Sequence, residues 1–312
     1  MATMKAVRIH AYGGPEVLTY EDAPRPEPNT DEVLIRVYAA AINPVDWKTR
    51  EGFLQEMAHY SFPLILGWDV SGVVEAIGSE VQGFEVGDAV YAMPGMRVGG
   101  YAEYVTVPAS AVAAKPRSLD HVQAASVPLA ALTAWQALFD KAALSNGQTV
   151  LIHAASGGVG SFAVQFAKIK GAHVIGTASA SNQEFLEALG VDKFVDYRAT
   201  QFEDVVHDVD VVLDLLGGET QERSWQVLKP GGILVSTVAS PDAQTATSRG
   251  VRGEQVFVQA NTAQLSEIAN SIDAGQVKTL VETVLPLQKA RQGHEMIQSG
   301  HTRGKIVLQI AS

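Results

Sequence analysis

The stretch "TVLIHAASGGVGSFAVQFAKIK", residues 149–170, decides the fold. Its first five residues, Thr149–His153, are a short β-rich run that ends directly at the glycines. After them, SFAVQFAKIK repeats apolar residues at helical spacing. A strand, a glycine turn and a helix in immediate succession form the context in which such a turn cradles a dinucleotide. Within Ala155-Ser156-Gly157-Gly158-Val159-Gly160, Gly157 and Gly160 fall on the second and third glycines of G-x-G-x-x-G, and Ala155 takes the place of the first. The second glycine lets the backbone approach a pyrophosphate, and the third lets helix and strand pack closely. The pyrophosphate then lies at the helix N-terminus, where unpaired N–H groups and the helix dipole favour anions.

A glycine corner of this kind also occurs in nucleotide-free α/β domains, so its surroundings carry weight. Strands are expected at Thr149–His153, His173–Thr177, Lys193–Val195, Val209–Leu213, Ile233–Val238 and Gln255–Val258, with helical segments such as SFAVQFAKIK and NQEFLEALG between them. That alternation requires a parallel, doubly wound sheet. Residues 129–261 therefore read as a six-stranded Rossmann domain that binds a dinucleotide. From Met4 to about Pro128 the texture differs. Short alternating runs (KAVRI, EVLIRVYAAAI, VSGVVEAIG, GDAVYAM, YAEYVTV) separated by Pro and Gly turns predict an antiparallel, barrel-like β domain. The closing strand, GKIVLQI, suits this first domain better than the edge of a completed sheet. The expected organisation is residues 1–128 with 262–312 as one domain, and residues 129–261 inserted as the other.

Composition narrows the function. Hydrophobic residues make up 46% and charged residues 18% of the 312, as in ordinary globular proteins. The formal charge is 23 − 34 = −11 with no dense Lys/Arg run, which argues against nucleic acid or an anionic membrane as partner. No apolar run approaches the ~18 residues that span a bilayer. Cysteine is absent, which excludes disulfides and thiolate zinc sites and fits a cytoplasmic protein. The N-terminal residues show no apolar stretch of secretory type, so no secretion signal is expected.

The loop after the second strand chooses between dinucleotides. NAD sites usually carry Asp or Glu there, accepting from the ribose hydroxyls. Residues 176–183 read GTASASNQ, without a carboxylate to repel a 2′-phosphate. Ser179 and Ser181 can donate to that phosphate, and Tyr197 and Arg198 follow the third strand. NADP(H) is the expected cofactor.

With these motifs in order, the chain resembles the medium-chain dehydrogenase/reductase superfamily, in its zinc-independent quinone oxidoreductase (zeta-crystallin-like) branch. The resemblance covers nearly the whole sequence. It rests on KAVRIHAYGGPEVL, AAINPVDWKTREG, PLILGWDVSGVVEAIGSEVQGFEVGDAVYAM, GGYAEYVTVPA, LTAWQAL, HAASGGVG and GKIVLQI. It implies a GroES-like β-barrel catalytic domain plus the inserted Rossmann domain, NADPH as cofactor, and a homodimer. Zinc alcohol dehydrogenases of the superfamily carry Cys where this chain has Asn43, and His-Glu where it has Trp68-Asp69. They also carry a four-cysteine lobe for which there is no counterpart between Met93 and Tyr101. The eight histidines (10, 59, 121, 153, 173, 207, 294 and 301) show no ligand spacing, so no metal is expected.

By the same resemblance, Asn43 sits near the nicotinamide and hydrogen-bonds the substrate carbonyl, and Thr133 holds the carboxamide region. Tyr197 lies against the adenosine phosphate. The backbones of Gly217 and Gly218, of Thr237, Val238 and Ala239, and of Val258, Gln259 and Ala260 line the cofactor. Two positions depart from the branch: Gln183 stands where a 2′-phosphate lysine is frequent, and His301 and Arg303 stand near a displaced C-terminal arginine.

Several residues read in two ways. Asn43-Pro44 is a functional site or a turn, and Asp46 a general acid or a helix cap. Lys48 and Tyr60 are candidate proton donors or solvated surface. Trp47, Phe53, Met93 and Met96 form an apolar wall for a flat substrate or belong to the core. Asp69 reads as structural. The leading expectation is an NADPH-dependent quinone oxidoreductase. The alternatives are an NADPH-dependent alkenal or enone reductase, which NPVDxKxR-G also resembles, and an NADPH-binding interaction protein with little turnover.

Overall fold

In the computed structural model, which describes residues 2–58, 60–96 and 98–311, the glycine turn joins the strand Thr149–Ile152 to the helix Gly158–Ile169. His59, one of the eight histidines, lies outside the described residues. The chain divides into two compact units, residues 130–259 with 276–278, and residues 1–129 with 260–275 and 279–312.

The first of these holds a six-stranded sheet, parallel throughout. Its strands are Thr149–Ile152, His173–Ala178, Lys193–Asp196, Val209–Asp214, Leu228–Ser236 and Arg252–Gln255. Their spatial order, third-second-first-fourth-fifth-sixth, is the doubly wound Rossmann order. The central strands are apolar on both faces because helices cover both: Val150, Leu151 and Ile152 are fully buried, as are Val212, Leu213, Leu234 and Val235. The helix after the turn begins at Gly158, three residues before the expected SFAVQFAKIK, since Gly157 already has the extended backbone of an N-cap.

The sixth strand is a correction. It was expected at Gln255–Val258 from the apolar run there, but it spans Arg252–Gln255. The ladder stops one residue on, where the Val256 N–H reaches the Ser236 carbonyl at 2.9 Å. The chain is then held away by Gln136, whose side chain accepts from the Gln259 N–H (2.9 Å) and donates to its carbonyl (2.7 Å).

The other unit contains a seven-stranded sheet built on the long strand Glu32–Ile42. Asp69–Ile77 and Tyr104–Pro108 pair antiparallel with it. The closing strand Lys305–Gln309 does so too, from Ile306 opposite Ile42 to Gln309 opposite Ala39. Val281–Pro286 adds a parallel strand on the far side of that closing strand. A second, three-stranded sheet is formed by Thr3–Ile9, Thr19–Pro24 and Leu64–Ile65. Their inner faces share one core that includes Ile9, Val33, Ile35, Ile42, Val70, Tyr101, Ile306 and Leu308. Pairing with Lys305–Gln309 brings a lysine from the end of the chain under the Asn43 turn, which begins the helix Pro44–Arg50.

Candidate functional site

Two constellations carry the chemistry, one in each unit. In the Rossmann unit the turn after Ile152 makes room for an anion. Gly157 has φ −76° and ψ 178°, and a Cβ there would meet only the Ala154 carbonyl at 3.4 Å, so this side of the turn is open. Gly160 is the reverse: a Cβ would stand 2.4 Å from the Ala154 oxygen and 2.7 Å from Ala155 Cα. The two glycines thus divide the work as the motif requires, one for ligand approach and one for packing. The N–H groups of Gly158, Val159 and Gly160 form the first helical turn, where helix geometry provides no acceptor within the helix. Ala154 takes the left-handed conformation that a glycine would adopt more easily, at φ +48°. This cradle fits the pyrophosphate of a dinucleotide.

At the end of the second strand Ser179 and Ser181 face each other, Oγ to Oγ 3.1 Å, and Asn182 Nδ2 donates to Ser179 Oγ at 3.0 Å. Tyr197 is exposed, with the Arg198 guanidinium over its ring and Arg198 Nε donating to its hydroxyl at 3.3 Å. The pair lines an open groove of about 480 Å³ together with Thr200, Arg223 and the carboxylate of Glu219. The 176–183 loop itself brings hydroxyls and no carboxylate. Thr133 is buried in the helix Pro128–Trp135. Gly217 and Gly218 have positive φ, +72° and +53°. The N–H groups of Thr237, Val238 and Ala239 are turned inward onto the Asp214 carbonyl and Ser236 Oγ, so they are not free to donate to a ligand. Val258 is half-buried, Gln259 exposed, and Ala260 belongs to the other unit.

In that other unit Asn43 anchors a buried polar cluster. It is 2% exposed, and its side-chain amide is engaged at both ends. Nδ2 donates to Asp69 Oδ2 at 2.8 Å, and Oδ1 accepts from the Lys305 ammonium. Lys305, itself 5% exposed, also pairs with Asp69 Oδ2 at 3.1 Å. Asp69 Oδ1 accepts from the Leu129 N–H at 2.6 Å. Asp46 caps the helix start, accepting from the Asn43 N–H (2.7 Å), the Gly67 N–H (3.2 Å) and the Tyr101 hydroxyl (3.0 Å). Burial pushes the Asp46 carboxyl up to about 7, against the pull of the Asn43 N–H and Tyr101 hydroxyl.

Behind it, Arg50 Nη1 approaches His294 Nδ1 at 2.9 Å, and His294 Nε2 lies 3.3 Å from the Tyr101 hydroxyl. Because guanidinium only donates, the His294 proton sits on Nε2, and every bond of this chain points toward Asp46. Burial and the Arg50 charge hold His294 down to about 3.

The remaining candidates lie around the Pro44–Arg50 helix. Trp47 and Phe53 meet edge to face, with ring centroids 6.0 Å apart, and Phe53 is 67% exposed. Lys48 is half-buried, which lowers its pKa, with its ammonium 5.8 Å from the Trp47 ring centroid. The Tyr60 hydroxyl is buried and has no hydrogen-bond partner among the described residues. Burial raises its pKa with Thr49 pulling the other way, but the Thr49 hydroxyl gives its proton to the Val45 carbonyl at 2.8 Å. Met96 is half-buried, whereas Met93 is 2% exposed and lies within the packed interior.

The positions that hold zinc ligands in zinc alcohol dehydrogenases do not fit a zinc ion here. Trp68 has no lone pair to give, and Asn43 and Asp69 both face the Lys305 ammonium. Among the described residues no group of three His, Cys, Asp or Glu could hold a metal ion. Lys305 and Asp214 were not foreseen in the sequence. The signal for Lys305 was a charge opening an otherwise apolar strand, KIVLQ, and for Asp214 a carboxylate closing another, VDVVLD.

Residues 29–117 match the alcohol dehydrogenase GroES-like domain, and residues 189–308 match the zinc-binding dehydrogenase domain. The chain is 34% identical to the mouse (Mus musculus) protein named NAD(P)H oxidoreductase RTN4IP1, mitochondrial, over 98% of this chain and 89% of that one. It is 35% identical to the 2-methylene-furan-3-one reductase of Solanum lycopersicum, over 98% of this chain and 79% of the relative. Among solved structures, the quinone oxidoreductase from Coxiella burnetii superposes with a TM-score of 0.94 at 36% identity, covering 99% of this chain and 100% of that one.

Proposed function

The chain belongs to the medium-chain dehydrogenase/reductase superfamily, in its quinone oxidoreductase branch, and from that premise we propose that it is an NADPH-dependent, zinc-independent quinone reductase. Oxidoreductase activity with a nicotinamide cofactor follows from the family and from relatives named NAD(P)H and quinone oxidoreductases. The observation that carries the finer reading is the donor set. The buried carboxylate at the zinc-ligand position is matched by Lys305, so the acceptor must be one that takes hydride without a metal to polarise it. Quinones meet that condition.

NADPH, when bound, would supply a hydride, which together with one proton from water takes a quinone to its hydroquinone and leaves NADP+. The chain's own residues bind and orient. Gly157 and the first turn of the Gly158–Ile169 helix hold the pyrophosphate, with Ala155, Ser156 and Val159 shaping the turn. Ser179, Ser181, Tyr197 and Arg198 hold the 2′-phosphate and prefer NADPH over NADH. Thr133 and the turns at Gly217, Gly218 and Thr237–Ala239, with Val258, Gln259 and Ala260, line the nicotinamide half. Trp47, Phe53 and Met96 offer an apolar face to a flat ring, and Met93 backs them from the interior. Asn43, tied by Lys305 and Asp69, acts through a fixed orientation. Homodimeric assembly stays within this proposal on the resemblance, and a cytoplasmic location on the cysteine-free composition.

A second reading, alkenal or enone reduction, is favoured by one observation. The buried Tyr60 hydroxyl has no hydrogen-bond partner among the described residues, and reducing a C=C bond needs a proton donor at carbon; burial also lowers the Lys48 pKa. The tomato relative's name points the same way. Steady-state NADPH oxidation with a para-quinone and a short 2-alkenal decides between them. Turnover confined to the quinone is the expected result, and turnover confined to the alkenal moves the protein to enone reduction. Tight NADPH binding with neither acceptor turned over would favour an interaction protein.

A further inference from the structure

The strand Val209–Asp214 ends in a carboxylate that is wholly buried and has no cationic partner among the described residues. Four donors hold it. Asp214 Oδ1 accepts from the Leu216 N–H (3.0 Å) and the Gly217 N–H (2.9 Å). Oδ2 accepts from Gln221 Nε2 (2.9 Å) and from the Ser236 hydroxyl (2.8 Å). A buried charge without an ion pair is costly, so a site that keeps one must use its hydrogen bonds.

Those bonds all shape two turns. Having given its proton to Asp214, Ser236 Oγ presents lone pairs to the Val238 N–H (3.2 Å) and the Ala239 N–H (3.4 Å). The Thr237 N–H reaches the Asp214 carbonyl at 3.1 Å, and Gln221 Nε2 reaches the Ala239 carbonyl at 3.3 Å. The turns also touch: a Cβ on Gly217 would stand 3.2 Å from Val238 Cγ1. One carboxylate therefore sets the backbone after the fourth strand and, through Ser236 and Gln221, the backbone after the fifth. Both turns lie at the carboxyl ends of parallel strands, on the side of a doubly wound sheet that receives ligands.

We propose that Asp214, acting through Ser236 and the Gly217 N–H, is the positioning residue that shapes the pocket for the nicotinamide half of the cofactor. This rests on the reading above that these turns line that half. The adenosine half is held by other residues, Ser179, Ser181, Tyr197 and Arg198, on other strands. Disturbing Asp214 therefore separates the two halves of one ligand.

The test compares NADPH with 2′,5′-ADP, which carries only the adenosine half, by titration calorimetry on the full chain. Asp214→Asn keeps the shape but turns an NH2 toward two donors, and NADPH affinity is expected to fall on the order of tenfold. Ser236→Ala removes one link and should give a smaller loss of the same kind. In both variants 2′,5′-ADP should bind within about twofold of wild type, since its contacts are elsewhere. Equal losses for both ligands would mean a general destabilisation and would overturn the proposal. So would unchanged NADPH affinity. Should Asp214→Asn fail to fold, Ser236→Ala alone decides by the same comparison. Failure of wild type to bind either ligand would instead overturn the dinucleotide reading itself, and this proposal with it.

Discussion

Adding one methyl group at Gly157 and, in a separate variant, at Gly160 divides binding from folding. At Gly160 the new Cβ would lie 2.4 Å from the Ala154 oxygen, 2.7 Å from Ala155 Cα and 2.8 Å from the Ala155 carbonyl carbon. All three are backbone atoms, so the helix or the turn must move, and overpacking of this kind costs ~1–3 kcal/mol. The helix propensity of Ala over Gly returns about 1 kcal/mol at most. Contacts this short with backbone atoms put the cost at the upper end of that range, so Gly160→Ala should lose ~2 kcal/mol of stability net and weaken cofactor binding as a consequence. At Gly157 the only neighbour is 3.4 Å away, and φ −76° suits any residue. Lost N-cap preference and reduced unfolded-chain entropy nearly cancel, leaving stability within about 1 kcal/mol of wild type. The methyl instead occupies the open side of the turn that a pyrophosphate must approach. NADPH affinity should fall on the order of tenfold or more, equivalent to about 1.4 kcal/mol per decade. Urea unfolding and NADPH titration on both variants give the readout. A Gly157→Ala protein that binds NADPH as wild type does, or a Gly160→Ala protein as stable as wild type, would overturn this division between ligand approach and packing.

Lys305→Met leaves Asp69 buried without its cation and should cost ~3–5 kcal/mol in urea unfolding, far more than a surface lysine would. Stability should also fall with acid below pH 6.5. His153 and His294 are held near 4 and 3 by burial, so the unfolded chain takes up protons that the folded chain refuses. Each contributes ~1.4 kcal/mol per pH unit, while Asp46, raised to about 7, offsets one of them because its contribution grows as pH falls. Between pH 6 and 5, His294→Gln should flatten the pH dependence of the unfolding free energy by about 1.4 kcal/mol per pH unit, and an unchanged slope would count against a neutral buried His294. Tyr60→Phe removes a hydroxyl with no partner among the described residues, so stability should stay within ~0.5 kcal/mol of wild type. If the tyrosine serves as proton donor, alkenal turnover should drop on the order of a hundredfold while quinone turnover holds.

Local patterns were legible and distant pairings were not. The Rossmann strands stood out because β-branched runs alternate with helical periodicity, and the turn because its glycines act within a few residues. The sixth strand was placed late because RGEQ lies at the sheet edge, where exposed polar residues give no apolar signal, while VFV beyond it does. Thr19–Pro24 and Val281–Pro286 went unread for a similar reason: each ends in proline and exposes alternate positions. In the polar cluster, Asn43 and Asp46 were visible at a helix start. Lys305, the partner of Asn43 and Asp69, was not, because 236 residues separate it from Asp69 and only the antiparallel register with Glu32–Ile42 brings it there. The engagement of both ends of the Asn43 amide follows from that register. It fixes the orientation of Asn43, the residue that the resemblance places near the nicotinamide.

The proposed function depends on the 149–170 turn and the loop after the second strand binding NADPH together for hydride transfer. Its most direct test is kcat/KM for NADPH and for NADH, measured side by side with one para-quinone. Turnover with NADPH favoured by on the order of tenfold or more is the predicted result, since the 176–183 loop offers hydroxyls and no carboxylate. A preference for NADH, or no oxidation of either cofactor, would contradict it.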